Sequence, residues 1–245
     1  MCFVALFYRV VPDYPVILAG NRDERLDRPS QPPHAITEHL FGGRDLQAGG
    51  TWLAINRAGV LAAVANIGYT PRRSAVRSRG LLCMDVLQSS SAQEAAQRLR
   101  DEVRLNPYND FNFLAADPRR AFVATHYGER LVFQALGDGV HVIGNSVPDD
   151  PGDAKGCRGR ILLSHRPRNL EDALDLGKRV CIDHGDGDGA GAICVHHSQR
   201  GTVSSSIVAL HESLPSLHRY LHAEGPPCQN AYEELRVFAG RARKA

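Results

Sequence analysis

The fold is decided at the start of the chain, where residues 1–24 read MCFVALFYRVVPDYPVILAGNRDE. Two short apolar runs, residues 2–10 and 15–20, are separated by residues 11–14, which contain Pro and Asp. Short apolar runs on either side of such a turn are typical of a β-hairpin. We therefore predict that a strand begins at the chain terminus and that Cys2 opens it.

The remaining patterns predict further hairpins and helices. Predicted strands are 51–55, 60–65, 111–116, 121–126, 130–135, 140–144, 192–196 and 202–210, and predicted helices are 78–87, 91–104, 169–182 and 230–243. We expect the four strands of residues 111–144 to form an antiparallel meander. Together these elements favour the α+β class, with two antiparallel sheets flanked by helices. No linker or repeat is visible, so residues 1–245 are predicted to form a single domain.

Composition excludes several classes of partner. The chain is 43% apolar and 23% charged, and its formal net charge of +2 provides no general attraction to nucleic acid. No apolar run approaches the roughly twenty residues of a membrane span, and the N-terminus lacks the features of a signal peptide. We therefore expect a cytoplasmic protein without a membrane span. The sequence leaves the oligomeric state open.

The six cysteines include no CxxC pair, so reduced thiols are expected rather than a disulfide framework. Cys194, His196 and His197 lie close together, and alternate residues of a strand share a face. No second ligand pair has the spacing that would complete a zinc site, so no metal is expected.

Cys2 is the most informative candidate for chemistry. The initiator Met is normally removed before a small residue, and its removal would give Cys2 both a thiol and a free α-amine. The amine titrates near pH 7.7–8.0 and a thiol near 8.5, so the amine can accept the thiol proton during nucleophilic attack. A simpler interpretation is that Cys2 is a small apolar residue at the start of a buried strand.

A series of motifs distinguishes these interpretations. In chain order they are GNRDE at 20–24, GRDL at 43–46, AGGTWL at 48–53, SRG at 78–80, YN at 108–109, FN at 111–112, GNS at 144–146, GT at 201–202 and SS at 204–205. With the Met-Cys start, they identify a resemblance to the NRDE family, also called the transport and Golgi organisation protein 2 family. The resemblance implies an Ntn-hydrolase-like αββα sandwich.

More remotely, the chain is similar to the choloylglycine hydrolase and penicillin acylase group, whose terminal cysteine attacks small amides. That similarity implies catalytic roles for Cys2, Asp23, Asn145 and Asn66. Asp23 would hold the α-ammonium, while the two Asn side chains would donate to an oxyanion. Asn66 is equally consistent with a structural turn residue.

Two positions depart from that group. The Arg expected after the second strand falls on Gly20, with Arg22 nearby, and a late Arg is replaced by Val203. Both departures weaken the expectation of a bile-salt or penicillin-like substrate. The candidate substrate-binding residues are Asn21, Arg22, Arg44, Trp52 and Ser204. Of these, Arg22 and Arg44 are equally consistent with an ion-pair network, and Trp52 with a core residue.

Two functions follow from the resemblance. The first is an amidohydrolase or acyltransferase that acts on a small amide or acyl substrate through a Cys2 thioester, without a cofactor. The alternative is a non-catalytic haem or acyl-lipid binding and trafficking protein, with His126, His196, His197 or a cysteine as haem ligand.

A cluster of arginines, at positions 72, 73, 77 and 79, precedes a predicted helix. There the arginines would either bind a carboxylate or phosphate or form a solvated face.

Overall fold

The computed structural model describes residues 3–68, 70–147, 150–186, 189 and 191–238. The strands are β1 (Phe3–Tyr8), β2 (Val16–Arg25), β3 (Ser30–Ala35), β4 (Leu40–Asp45), β5 (Leu53–Asn56), β6 (Leu61–Asn66), β7 (Phe111–Ala116), β8 (Ala121–Tyr127), β9 (Arg130–Leu136), β10 (Gly139–Ile143), β11 (Arg200–Leu210), β12 (Arg219–Glu224) and β13 (Glu233–Leu235). The α-helices are α1 (Arg79–Val86), α2 (Ala92–Leu105), α3 (Ala154–Leu162) and α4 (Leu170–Cys181).

The strands form two antiparallel sheets. The six-stranded sheet has the order β10-β1-β2-β11-β12-β13, and the seven-stranded sheet runs from β3 to β9 in chain order. The predicted hairpin at the N-terminus is confirmed, since Phe3 pairs with Asn21 and Tyr8 pairs with Val16. The first described strand, β1, is thus an interior strand, with β10 on one side and β2 on the other.

Alternation along the strands creates four layers. In β1, Val4 and Leu6 face the seven-stranded sheet, where they pack with Leu53 and Ile55 in the central core. The intervening Ala5 and Phe7, with their neighbours on β2, pack against α4. The other face of the seven-stranded sheet packs against α1 and α2. Side chains of a strand alternate between faces, so this arrangement is the predicted αββα sandwich.

Local capping signals set where three helices begin. The side chains of Ser78, Ser91 and Asn169 accept hydrogen bonds from backbone N–H groups in the first turns of α1, α2 and α4. A close backbone contact then seats α1 against the sheet. A Cβ atom at Gly50 would lie 2.1 Å from the carbonyl carbon of Gly80, so only glycine permits this approach.

Three predictions about secondary structure are wrong. The last strand of the proposed meander, β10, leaves the seven-stranded sheet and pairs with β1. Residues 192–196 form no strand and contribute only an isolated bridge between His196 and Gly201. The predicted helix 230–243 contains β13 instead, and pairing of Leu235 with Tyr220 overrides the helical pattern there. Residues 239–243 of that prediction lie outside the described residues.

The patterns also missed β3, β4, α3, β12 and β13. In the part of the chain that the structure describes, no helix has the length and apolarity needed to cross a membrane.

Candidate functional site

A cavity of about 700 Å³ opens at one end of the sandwich, between the two sheets. Its wall combines the ends of β2 and β6, the beginning of β11 and the segment before α1. Six sequence candidates line it: Arg22, Asp23, Arg44, Trp52, Asn66 and Ser204. Because antiparallel neighbours bring strand ends and strand starts to one edge, residues far apart in sequence meet here.

Asp23 is held by two side chains that the sequence analysis did not anticipate. Its Oδ2 atom lies 2.7 Å from Nζ of Lys155 on α3, and its Oδ1 atom accepts a hydrogen bond of 2.7 Å from Thr202 Oγ1. The side chains of Asp23 and Lys155 are 6% and 12% exposed. Water therefore screens this ion pair weakly, which fixes the carboxylate in position. Lys155 lies in a helix that no local pattern predicted, so it gave no sequence signal.

A β-bulge on β11 shapes the same part of the wall. Thr202 pairs with Asp23 and Ser204 with Arg22, which leaves Val203 as the additional residue. Bulges redirect side chains and are frequent beside functional sites. Both Val203 and Ser204 line the cavity. The wall therefore has an apolar side chain at the position where the sequence comparison expected an arginine.

Asn145 and Asn66 are brought together directly. Asn145 follows β10, and its Nδ2 donates a hydrogen bond of 2.6 Å to the backbone oxygen of Asn66 at the end of β6. The loop that carries Asn145 is anchored by Asn112, whose Nδ2 donates to the oxygens of Gly144 at 3.1 Å and Ser146 at 2.6 Å. An Asn amide has two N–H groups. The second N–H of Asn145 is therefore a candidate donor to a ligand.

Close packing explains why residue 20, within β2, is a glycine and not the arginine that the resemblance implies. A Cβ atom there would lie 2.7 Å from the backbone oxygen of Phe3 and 3.5 Å from the Trp52 ring. Arg22 follows two residues later on the same face of β2 and reaches the cavity. Arg22 is only 7% exposed, and it donates a long hydrogen bond of 3.4 Å to Ser30 Oγ. Arg22 thus presents a buried positive charge to the cavity.

The cavity wall is strongly basic. Among the described residues that line it, nine are arginines and four carry carboxylates. The predicted ion-pair network exists, but Arg28 forms it, with Asp45 at 2.6 Å and Glu24 at 3.9 Å. Burial opposes ionisation of Asp45, but hydrogen bonds from Arg28 and the backbone outweigh it and hold the pKa below its usual value. Arg22 and Arg44 form no ion pair with any residue in the described ranges.

The arginines before α1 differ in how they are held. Arg77 is bound by Asp85, Glu102 and Tyr108, and the hydrogen bond that it donates to Asp85 is the main reason that its pKa is raised. Arg72 and Arg73 are exposed on the cavity rim and have no carboxylate partner within the described part of the chain. The rim can therefore attract an anion.

A hydroxyl and an imidazole form a further polar pair on the wall. Ser206 Oγ lies 2.9 Å from His222 Nδ1, and both residues are less than a tenth exposed. Burial lowers the pKa of His222 to about 4, so the imidazole is neutral near pH 7. A neutral imidazole can accept or donate one hydrogen bond on each nitrogen, depending on its tautomer. No local sequence pattern predicts this pair, because its members come from different strands.

Of the remaining sequence candidates, the described residues Asn145 and Asn21 do not line the cavity. Cys2 lies outside the described residues, and its chain neighbour Phe3 begins β1. Asn21 faces the helix layer, where its Nδ2 donates to the backbone oxygens of Cys181 at 2.8 Å and Ile193 at 3.0 Å. The role of Asn21 in substrate binding stays a prediction.

The candidate haem ligands do not share a site. His126 is buried on β8 with its ring stacked on Phe111, whereas His197 is exposed. His196 contacts the thiol of Cys194, and the structure adds His184 and Cys228 to this group. The expectation that no second ligand pair is available near Cys194 is therefore wrong, because residues from distant segments complete the set.

Comparisons with known proteins agree with the motifs. The family model described as Transport and Golgi organisation 2 matches residues 1–178. A Transport and Golgi organization 2 homolog from Mus musculus is 32% identical over 179 residues, which are 69% of this chain and 63% of the mouse protein. The Bos taurus homolog is 31% identical over 160 residues, or 61% of this chain and 57% of that protein. The matched region spans less than two thirds of these relatives.

Solved structures with a similar fold cover most of the chain. A mutant conjugated bile acid hydrolase from Clostridium perfringens has a TM-score of 0.59 and 12% identity, with 97% of each chain covered. Penicillin V acylase from Agrobacterium tumefaciens has a TM-score of 0.56 and 12% identity, covering 91% of this chain and 83% of its own. A Caenorhabditis elegans ortholog of N-acylethanolamine-hydrolyzing acid amidase has a TM-score of 0.57 and 11% identity, covering 87% and 94%. The fold of this chain is Ntn-hydrolase-like.

Proposed function

Because the chain belongs to the Transport and Golgi organisation 2 family and has an Ntn-hydrolase-like fold, we propose that it cleaves or transfers the acyl group of a small anionic amide through a Cys2 thioester. The observation that carries the proposal is the cavity that collects Asp23, Asn66 and the buried Arg22 at one edge of the sheets. Cys2 directly precedes Phe3, which pairs with Asn21 beside these residues.

The proposed chemistry uses both groups of Cys2 after removal of Met1. The sulfur attacks the carbonyl carbon of the substrate while the α-amine accepts the thiol proton. The second N–H of Asn145 donates to the carbonyl oxygen as it becomes an oxyanion. The C–N bond then breaks, the departing amine takes the proton from the α-ammonium, and a thioester remains.

A second attack releases the acyl group. In hydrolysis, water adds to the thioester carbonyl and gives a proton to the α-amine, which returns it to the departing thiolate. In transfer, an amine or alcohol takes the place of water. Asp23 would position the α-ammonium, and the Lys155 and Thr202 contacts described above would keep the carboxylate aligned.

The basic wall favours a substrate with a carboxylate or phosphate. A buried guanidinium without a carboxylate partner is unfavourable, and a ligand anion would offset that cost. Arg22 meets this description within the described residues, and Arg44 and Arg72 increase the positive potential around it. The substrate we propose is therefore an amide with an anionic group on its acyl or amine part.

The test combines intact mass spectrometry with two matched substrates. The wild-type protein should lack Met1 and gain one acyl group from 4-nitrophenyl glutarate, on Cys2. Glutaryl-4-nitroanilide should be cleaved with a higher kcat/KM than neutral pentanoyl-4-nitroanilide, and Arg22→Met should reduce this preference. Retained Met1, or acylation at another cysteine, would contradict the mechanism.

The matched controls use other thiols. Burial raises the pKa of Cys83 and raises that of Cys181 to about 11, so both should react slowly. Cys157 is half-buried and serves as the control substitution. Cys2→Ser should abolish acylation and turnover, whereas Cys157→Ser should preserve them. Full function in Cys2→Ser would favour the haem or acyl-lipid carrier, which remains the alternative prediction.

A further inference from the structure

Four potential metal ligands converge at a place separate from the cavity. One ligand atom each from His184, Cys194, His196 and Cys228 lies within 4.8 Å of all the others. The Cys194 and Cys228 sulfurs are 3.6 Å apart, and Nε2 of His196 lies 3.6 Å from the first and 3.2 Å from the second. The imidazole rings of His184 and His196 are 5.2 Å apart.

These separations agree with tetrahedral zinc coordination. Zinc bonds of about 2.3 Å to sulfur and about 2.0–2.1 Å to nitrogen imply ligand separations of about 3.8 Å between sulfurs and about 3.6 Å between sulfur and nitrogen. A set of two thiolates and two imidazoles is typical of structural zinc sites. Four protein ligands fill the tetrahedral coordination of the ion, so no position stays open for a substrate.

The geometry points to a structural zinc site: we propose that His184, Cys194, His196 and Cys228 bind one Zn²⁺ ion. The two thiols each lose a proton when the ion binds, and the imidazoles bind as neutral ligands. Both histidines are exposed, so the ion has a route from solvent. The site requires no oxidant, in contrast to a disulfide, whose sulfurs would have to approach to about 2.05 Å.

The ion would join three segments that have little regular structure. His184 follows α4, Cys194 and His196 precede β11, and Cys228 follows β12. The backbone N–H of Cys194 donates to Asp183 at 2.7 Å, which already connects two of these segments. Metal binding would fix all three segments relative to the six-stranded sheet. The ion would thus do what the hydrogen bonds between paired strands do elsewhere in the fold.

This anchor would act on the cavity through Thr202. The backbone N–H of Thr202 donates to Val195 at 2.8 Å, and that of Val195 donates to Thr202 Oγ1 at 2.9 Å. The same hydroxyl donates to Asp23. The zinc site therefore lies two hydrogen bonds from the Asp23 carboxylate. Its role would be structural, since none of its four ligands lines the cavity.

The experiment measures metal directly on the full-length protein. The wild-type protein is reduced, loaded with zinc and then desalted. Elemental mass spectrometry should then find one zinc ion per chain. Cobalt loading should produce thiolate-to-cobalt charge-transfer bands and the strong visible bands of tetrahedral cobalt. Cys228→Ser should lose the ion, and a chelator should lower the thermal midpoint of wild type but not of this variant.

Matched substitutions keep the result interpretable. Cys157→Ser and His197→Ala remove one thiol and one adjacent imidazole outside the cluster, and both should retain zinc. If Cys228→Ser does not fold, His184→Asn provides a second test, because it changes an exposed ligand. The affinity of this variant for zinc should be lower than that of wild type. Unchanged zinc content in Cys228→Ser or His184→Asn would overturn the proposal. Failure of reduced wild-type protein to bind zinc, together with a Cys194–Cys228 disulfide in the protein before reduction, would also overturn it.

Discussion

The two sheets contribute different kinds of side chain to one cavity. From the six-stranded sheet come Arg22, Asp23, Ser206 and His222, all less than a tenth exposed. From the seven-stranded sheet and the segment before α1 come half-buried Arg44 and exposed Arg72. Buried groups keep fixed partners and interact strongly, whereas exposed charges are screened by water and salt.

This difference separates two roles within the proposed function. Substitutions in the six-stranded sheet should change stability and kcat, because they disturb groups whose geometry is set before a ligand binds. Substitutions on the seven-stranded side should change KM and its dependence on salt. The predictions below test this separation, from the largest expected effect to the smallest.

The largest effect is expected for Asp23→Asn, which leaves Lys155 as a buried cation without its carboxylate. Removing one partner of such a pair should lower the free energy of unfolding by about 3–5 kcal/mol. Denaturant titration measures this loss. The double variant Asp23→Asn with Lys155→Met should recover much of the stability without recovering activity. Wild-type stability in Asp23→Asn would show that the ion pair does not set the local structure.

Asn145→Ala should reduce kcat by about 10²–10³, or about 2.7–4 kcal/mol, if its second N–H donates to the oxyanion. The release of 4-nitroaniline from glutaryl-4-nitroanilide measures the rate. Asn109 is the matched control, because its amide lines the cavity but bonds to the backbone of Arg73. Asn109→Ala should change kcat only slightly. Equal losses in both variants would argue for a general structural effect.

His222 should make the protein sensitive to acid. Burial lowers its folded-state pKa to about 4, below the unfolded value of about 6.5. The unfolded chain therefore binds the proton first, and the free energy of unfolding should fall as the pH decreases from about 6.5 to about 4. The complete shift corresponds to about 3 kcal/mol. His222→Gln should flatten this dependence, measured by urea titration, whereas exposed His197→Gln should leave it unchanged.

The sequence predicted features that depend on local signals. The N-terminal hairpin and three of the four predicted helices follow from short apolar runs and local spacing. The resemblance to known families selected Asp23 and Asn66, and both line the cavity. Whether these residues act in catalysis stays a prediction.

Long-range pairing explains what the sequence did not reveal. β10 has an ordinary alternating pattern, which cannot distinguish pairing with β9 from pairing with β1. Lys155 reaches Asp23 across 132 positions, and Cys228 lies 34 positions from Cys194. Spacing rules detect ligands within one hairpin or helix, so they miss a cluster that three separate segments assemble.

The smallest effect is expected for Arg44→Met, on the seven-stranded side. Arg44 forms no ion pair with a described residue, so its loss should leave the protein as stable as wild type. It should raise KM for glutaryl-4-nitroanilide by about tenfold, or about 1.4 kcal/mol, with kcat nearly unchanged. Added salt should reduce the difference from wild type, because salt screens an exposed charge.

Arg57 provides the matched control for this substitution. It is exposed, and it bonds to the backbone of Glu38 and stacks on Phe238, outside the cavity wall. Arg57→Met removes the same charge and should leave KM unchanged, which separates local attraction from a change in net charge. A lower kcat with unchanged KM in Arg44→Met would assign this arginine to the reacting centre. The division of roles between the two sheets would then be wrong.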